Sequence, residues 1–347
     1  MTALETRDLV TVITPVHNEA AVLQETAATI LGQDWPEIEY LFVDGRSSDG
    51  SRERLEALAS ADARIRVLDN PAGDLASALQ IGLAAARGAY VAKLDAHTYF
   101  PPGYVRLGVE RLRRGGVDWV SGPQLAEGDG PWSRRVALAL SSRLGTGGAD
   151  FRHAADDESE VDSGFTGMWL RETLECHGGW DEEWLNDQDF ELAARIRKAG
   201  GRIVCVPAMA AGYIPRDSLR RLAEQYHRYG FYRVKTSLRH PETMRRSHVL
   251  APGLTITMAA AALAPRPLRR LARGGVAAYG AAVVATTVGE LRRAAGGDDT
   301  AVLDAAALPL VFATMHLSWG IGFLRGCATL GVPWRALAGL TSGSARR

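Results

Sequence analysis

Hydrophobic and polar positions in the first 95 residues alternate between two periods. Residues 9–14 form a short apolar run closed by Pro15, which predicts a buried strand. Leu23, Ala27, Ile30 and Leu31 then recur at i, i+4, i+7 and i+8, one face of a helix. The cycle repeats. Residues 39–43 predict a second strand, and 51–59 a helix after the turn-rich GRSSDG. Residues 65–68 predict a third strand, and 75–86 a helix that Asp74 can cap. Gly88 resets the chain before a strand at 89–94. Strands alternating with helices predict an α/β domain, a mostly parallel sheet with helices on both faces. Such sheets bind ligands at the carboxyl ends of their strands. Residues 15–19, 44–50 and 95–97 all fall there.

Downstream the pattern loosens. Residues 122–162 are rich in Gly, Ser and charge and read as a mobile loop region. Order resumes at 165–170, followed by a helix over 187–199 that stops at Gly200-Gly201 and a strand at 202–206. Ser218 can cap a helix to about residue 235, with Leu222, Tyr226 and Tyr229 on one stripe. After Arg246 come three stretches without Asp, Glu, Lys or Arg: 247–265, 274–289 and 305–324, of 19, 16 and 20 residues. A membrane span needs about 20 apolar residues, so the third is long enough, the first marginal and the second short. Arg266, Arg269, Arg270 and Arg273 separate the first two and favour the cytosolic side. The expectation is a catalytic domain over 1–240 and a helical, membrane-associated appendage over 241–347. A hairpin that dips into or lies on the inner leaflet fits the charges. A soluble helical subdomain is the other arrangement.

Composition removes some classes. Lys and Arg together equal Asp and Glu, 40 of each, so no global field recruits nucleic acid. Three widely spaced cysteines, Cys176, Cys205 and Cys327, lack metal-site spacing and fit reduced thiols used as small core residues. The start of the chain has Glu5, Arg7 and Asp8 and no apolar leader, which predicts catalysis at the cytoplasmic face of the membrane.

The chemistry concentrates in VAKLDAHTYFPPGY, residues 91–104. In an extended segment Asp95 and His97, two apart, point to one side and can face a single cation. Pro101-Pro102-Gly103 ends the strand beyond them. Lys93 in the same run receives no assigned role. The order PVHNE (15–19), VDGRSSDG (43–50), LDAH (94–97), GGWDE (178–182), NDQDFEL (186–192) and QYHRY (225–229) resembles the inverting glycosyltransferases of family 2, which have a GT-A fold. Within them the chain is most similar to the exopolysaccharide, succinoglycan-type enzymes, with their DAH motif and apolar tail. The resemblance covers about residues 9–235.

It implies a nucleotide-sugar donor, preferably a UDP-sugar, held by Pro15, His17, Glu19, Asp44 and Asp95. Carboxylates such as Glu19 and Asp44 suit the donor groups of uracil and ribose. A second acid common in the family is absent where Gly45 stands. Asp95 and His97 would hold Mn²⁺ or Mg²⁺ on the diphosphate, the imidazole suiting Mn²⁺ better. Asp189 aligns with the general base. Gln225, Arg228 and Tyr229 echo the Q-x-x-R-W element, with Tyr in place of Trp, and would reach the diphosphate or acceptor. Trp169, Trp180 and Trp184 flank the base; Trp180 is the candidate sugar platform, with core packing the other reading of each ring. Asp49 and Asp187 read as turn and N-cap chemistry. The acceptor implied is a lipid-linked sugar or a polysaccharide. A nucleotidyltransferase-like or nucleotide-binding scaffold without sugar transfer is the competing class; it has no need of Asp189.

Overall fold

The structure, a computed structural model, describes residues 8–147, 157–295 and 299–341. The expectation resting on Glu5 and Arg7 lies outside them. The chain divides into two compact units, one of residues 1–125 and 150–213, the other of 126–149 and 214–347. The boundary expected at residue 240 therefore falls inside the second unit.

The first unit follows the strand–helix alternation: β1 (Val10–Val16), α1 (Ala20–Leu31), β2 (Ile38–Asp44), α2 (Ser51–Ala61), β3 (Ile65–Asp69), α3 (Leu75–Ala85) and β4 (Tyr90–Lys93). The side chain of Asp74 accepts from Ser77 N at 2.9 Å and caps α3 as expected. β5 (Thr98–Tyr99), α4 (Tyr104–Arg113), β6 (Trp119–Ser121) and β7 (Gln124–Ala126) come next. After two helices of the other unit come β8 (Ser159–Glu160), β9 (Gly167–Leu170), α7 (Arg171–Cys176), α8 (Gln188–Lys198), β10 (Ile203–Cys205) and β11 (Ala211–Tyr213).

Eight strands pair in the order β3-β2-β1-β4-β9-β6-β10-β8. The N-terminal half, β3 to β4, is parallel throughout. β9 then runs antiparallel to both β4 and β6, so the sheet is mixed. A smaller sheet has the order β5-β11-β7. Alternate residues of each central strand enter opposite cores. Val10, Val12, Tyr90 and Ala92 join Leu23 and Ile30 of α1, whereas Ile13 and Val91 join Leu79 of α3, Trp169, Trp180 and Leu192. Lys93 has the parity of Val91 and so belongs to the second, tryptophan-lined face.

The second unit contains α5 (Pro131–Leu140), α6 (Arg143–Thr146), α9 (Leu219–Arg239), α10 (Leu250–Leu263), α11 (Arg266–Ala294), α12 (Asp299–Ala306), α13 (Leu308–Leu330) and α14 (Trp334–Gly339). Two expectations change here. Residues 131–146, expected to be loop, are helical, because Val136, Ala137, Ala139 and Leu140 form a buried stripe and Asp304 of α12 pairs with Arg134 at 2.9 Å and Arg135 at 3.0 Å. The lengths of the apolar segments also differ. α10 has only 14 residues, but the short stretch at 274–289 lies within the 29-residue α11, which continues through the arginine cluster. Two helical segments, Arg266–Ala294 and Asp299–Leu330, are long and apolar enough to cross a membrane. His316, a polar group inside the third stretch, meets Tyr279 Oη and the carbonyl of Leu144, each at 3.0 Å.

Candidate active site

The parallel strands end together along one edge, and the loops leaving them carry the candidates. After β1, the His17 ring lies 2.5 Å from the carbonyl of Gly45 beyond β2, and Asn18 Nδ2 is 3.3 Å from its other nitrogen. Nδ1 donates to the carbonyl, which can only accept. His17 is thus engaged in joining two loops. Asn18, at φ 56°, donates from its backbone to Ser47 Oγ and accepts from Ser48 N through Oδ1. Asp49 accepts from Ala20 N at 2.9 Å and Ser51 N at 3.0 Å, the first residues of α1 and α2. The Ser51 hydroxyl is the main cause of its depressed pKa. Asp49 is therefore structural, in keeping with the turn chemistry expected of it.

Asp44 ends β2 almost fully buried, and its Oδ1 has no hydrogen-bond partner among the described residues. A buried carboxylate oxygen without a donor costs free energy unless a ligand supplies one.

The segment after β4 departs from the expected extended geometry. The strand stops at Lys93, and Asp95 to Thr98 form a turn closed by Thr98 N donating to Asp95 O at 3.1 Å. Asp95 and His97 remain partly exposed while Leu94, Ala96 and Thr98 are buried. The His97 Nδ1 approaches Glu19 Oε1 at 3.2 Å. Among the described residues no three or more His, Cys, Asp or Glu side chains gather as a metal-binding group.

Asp189 lies in the first turn of α8, and its carboxylate is gripped at both oxygens. Lys93 Nζ donates to Oδ2 at 2.7 Å, and the Trp180 indole donates to Oδ1 at 3.2 Å. The same ammonium donates to the carbonyl of Phe165 at 2.8 Å and stands 3.6 Å from Asp95 Oδ1. Burial raises the pKa of Asp189 above the usual carboxylate range, with Lys93 pulling it back. Burial opposes the charge on Lys93, but Asp189 and Asp95 outweigh it and the amine stays protonated. The Lys93 side chain is 2 % exposed, whereas Asp189 retains 13 %. A carboxylate that is dry enough to be basic and open along one edge can take a proton from a bound hydroxyl.

Sequence reasoning missed the lysine, although its signal was a charge inside the apolar run VAKL. It also missed the clamp behind Trp180. Gln80 Oε1 accepts from Trp180 N at 3.1 Å, and Gln80 Nε2 donates to Gly178 O at 3.1 Å. Arg195 ties the Gly179 carbonyl, at 2.8 Å, to the fully buried Glu191, at 2.6 Å. Gly179 has φ 66°, and a Cβ there would lie 2.0 Å from Gln80 Oε1, so only glycine fits this turn.

Two expectations are corrected here, the Trp180 platform and the Asp187 cap. Trp180 is fully buried, edge-on to Trp169 at 5.5 Å, and cannot offer a face to an acceptor sugar. Trp169 and Trp184 are core residues too. Asp187 precedes α8 at φ 66° with no side-chain cap hydrogen bond. Gln225, Arg228 and Tyr229 lie in α9 of the second unit, where Gln225 Nε2 donates to Tyr229 Oη at 3.0 Å.

The glycosyl transferase family 2 model matches residues 11–178. The succinoglycan biosynthesis protein ExoA of Rhizobium meliloti (strain 1021) is 31% identical over 232 residues, 66% of this chain and 70% of that protein. The chain belongs to glycosyltransferase family 2. As a member it is a glycosyltransferase. A second family relative is a dolichyl N-acetyl-alpha-D-glucosaminyl phosphate 3-beta-D-2,3-diacetamido-2,3-dideoxy-beta-D-glucuronosyltransferase of Methanococcus voltae, 23% identical over 64% of this chain and 72% of that one. Among solved structures, the mannosyltransferase PcManGT from Pyrobaculum calidifontis, in complex with GDP-Man and Mn²⁺, superposes with a TM-score of 0.54. It is 20% identical and covers 92% of this chain and 87% of its own. That likeness shows the GT-A fold: a mixed sheet flanked by helices, here with an apolar helical appendage.

Proposed function

We propose that the protein moves a sugar, with inversion, from a nucleotide sugar of the UDP class to a hydroxyl of a lipid-linked or polysaccharide acceptor. One observation carries this reading: a single buried ammonium, Lys93, contacts both Asp189 and Asp95, so base and diphosphate ligand sit side by side. Asp189 takes the proton of the acceptor hydroxyl as that oxygen attacks the anomeric carbon from behind. The new C–O bond forms as the bond to the diphosphate breaks, and the nucleoside diphosphate leaves. The unpartnered Oδ1 of Asp44 is suited to accept from ribose or base. Glu19, from its contact with His97, links the nucleotide side to the diphosphate side.

Asp95 and His97, both partly exposed on the turn after β4, offer a carboxylate and an imidazole. Those two donor types would suit Mg²⁺ or Mn²⁺, the remaining ligands coming from substrate and solvent. When bound, the ion offsets charge on the leaving diphosphate. A nucleotide-binding scaffold would need no basic carboxylate gripped at both oxygens. The test is nucleotide release from UDP-sugars by the purified full-length protein with Mn²⁺. Release is expected to require the metal and to fall about 100-fold or more in Asp189→Asn, the usual scale for losing an acid–base group. Equal rates in the two proteins refute the assignment.

A further inference from the structure

Lys93 is a cation inside a sheet, at the end of an otherwise apolar strand. An ammonium has three donors and is costly to bury unless all are used. Three acceptors surround it: the Phe165 carbonyl at 2.8 Å, Asp189 Oδ2 at 2.7 Å and Asp95 Oδ1 at 3.6 Å. The first is backbone, just before β9, and β9 is registered on β4 through Lys93 opposite Gly167. The sheet itself therefore sets where the ammonium stands, before any substrate arrives.

We propose that Lys93 is a positioning residue for sugar transfer: its ammonium, anchored to the sheet through the Phe165 carbonyl, holds the Asp189 carboxylate in line and beside Asp95. This rests on the reading of Asp189 as general base. Two donors on opposite oxygens, Lys93 and the Trp180 indole, fix the carboxylate plane, as one alone would not. A lysine is suited because a compact ammonium can point to three separate acceptors, whereas a planar guanidinium directs its donors in a fork.

The experiment compares wild type, Lys93→Met, Asp189→Asn and the double variant in nucleotide release from a UDP-sugar with Mn²⁺. If Lys93 acts through Asp189, K93M lowers kcat about 100-fold, the scale of losing the base, while the donor KM stays within about threefold. In the D189N background K93M then adds less than about a twofold loss, since residues acting as a unit are not additive. Melting temperature gives a second readout. K93M, which leaves Asp189 buried without its partner, melts lower, and the double variant, which buries neither charge, recovers. Turnover by K93M within about threefold of wild type, a loss confined to donor KM, or a full multiplicative loss in the double variant each overturns the proposal while leaving Asp189 as base. A double variant that melts as low as K93M also overturns it. Equal rates in wild type and D189N remove both the base and its positioning residue.

Discussion

The indole of Trp180 makes one hydrogen bond that matters for chemistry, to Asp189 Oδ1, while its ring fills the core against Trp169. Trp180→Phe retains most of the ring and deletes the donor. The sign of the effect follows from which form the donor favours. Burial already raises the pKa of Asp189, and the indole bond lowers it by stabilising the ionised carboxylate. Without that bond the pKa rises further. A base must be ionised to act, so activity is lost as pH falls through this pKa. The acid limb of kcat against pH is expected to move to higher pH in W180F, with the plateau at higher pH nearly kept. An unmoved acid limb would show that the indole does not act on the base. At this scale Asp189 and the charge in VAKL were legible, but the bond between Lys93 and Asp189 was not. The two are 96 positions apart, and no local spacing relates them.

Elements carry the clamp that presents Trp180. Arg195, on α8, forks onto Glu191 one turn earlier and onto the carbonyls of His177 and Gly179. Because Glu191 is fully buried, Arg195→Ala takes the fork of guanidinium donors from its carboxylate and is expected to cost about 3–5 kcal/mol of stability. Thermal or urea unfolding measures this, and R195A combined with Glu191→Ala should recover most of the loss. Comparable destabilisation in both variants would mean that packing, not charge, holds the loop. The strand and helix periods of the first unit were plain in the sequence because each apolar face meets a covered side of the sheet. The segment after β4 was misread, since a run of alternating burial does not distinguish a continuing strand from a turn closed by one backbone hydrogen bond.

The whole molecule joins a soluble-looking α/β unit to one of a different kind. In the second unit Leu250, Ile256, Leu263, Leu268, Leu271, Val284, Leu310 and Ile321 are exposed on α10, α11 and α13. Its helices also approach closely: a Cβ on Gly322 of α13 would lie 2.0 Å from the His227 carbonyl of α9, the small-residue contact favoured between helices in lipid. This supports contact of the second unit with a membrane. The full-length protein is expected in the membrane fraction, resisting salt and alkaline carbonate and released by detergent. Recovery in the soluble fraction without detergent would contradict the reading. Arg266, Arg269, Arg270 and Arg273 form a basic cluster at the start of α11.

Periodicity determined the alternating β and α elements and the edge where the loops converge, and the order of acidic motifs carried the resemblance to the family. These are properties of neighbouring residues, and local sterics and one-sided burial write them into a single stretch of chain. Tertiary structure decided which charges meet. It set Lys93 between Asp189 and Asp95, turned Trp180 from a sugar platform into a buried donor, and grouped α9 with the apolar helices. The reason is that a buried ion pair is selected by three-dimensional packing, which brings together groups that no short-range pattern relates.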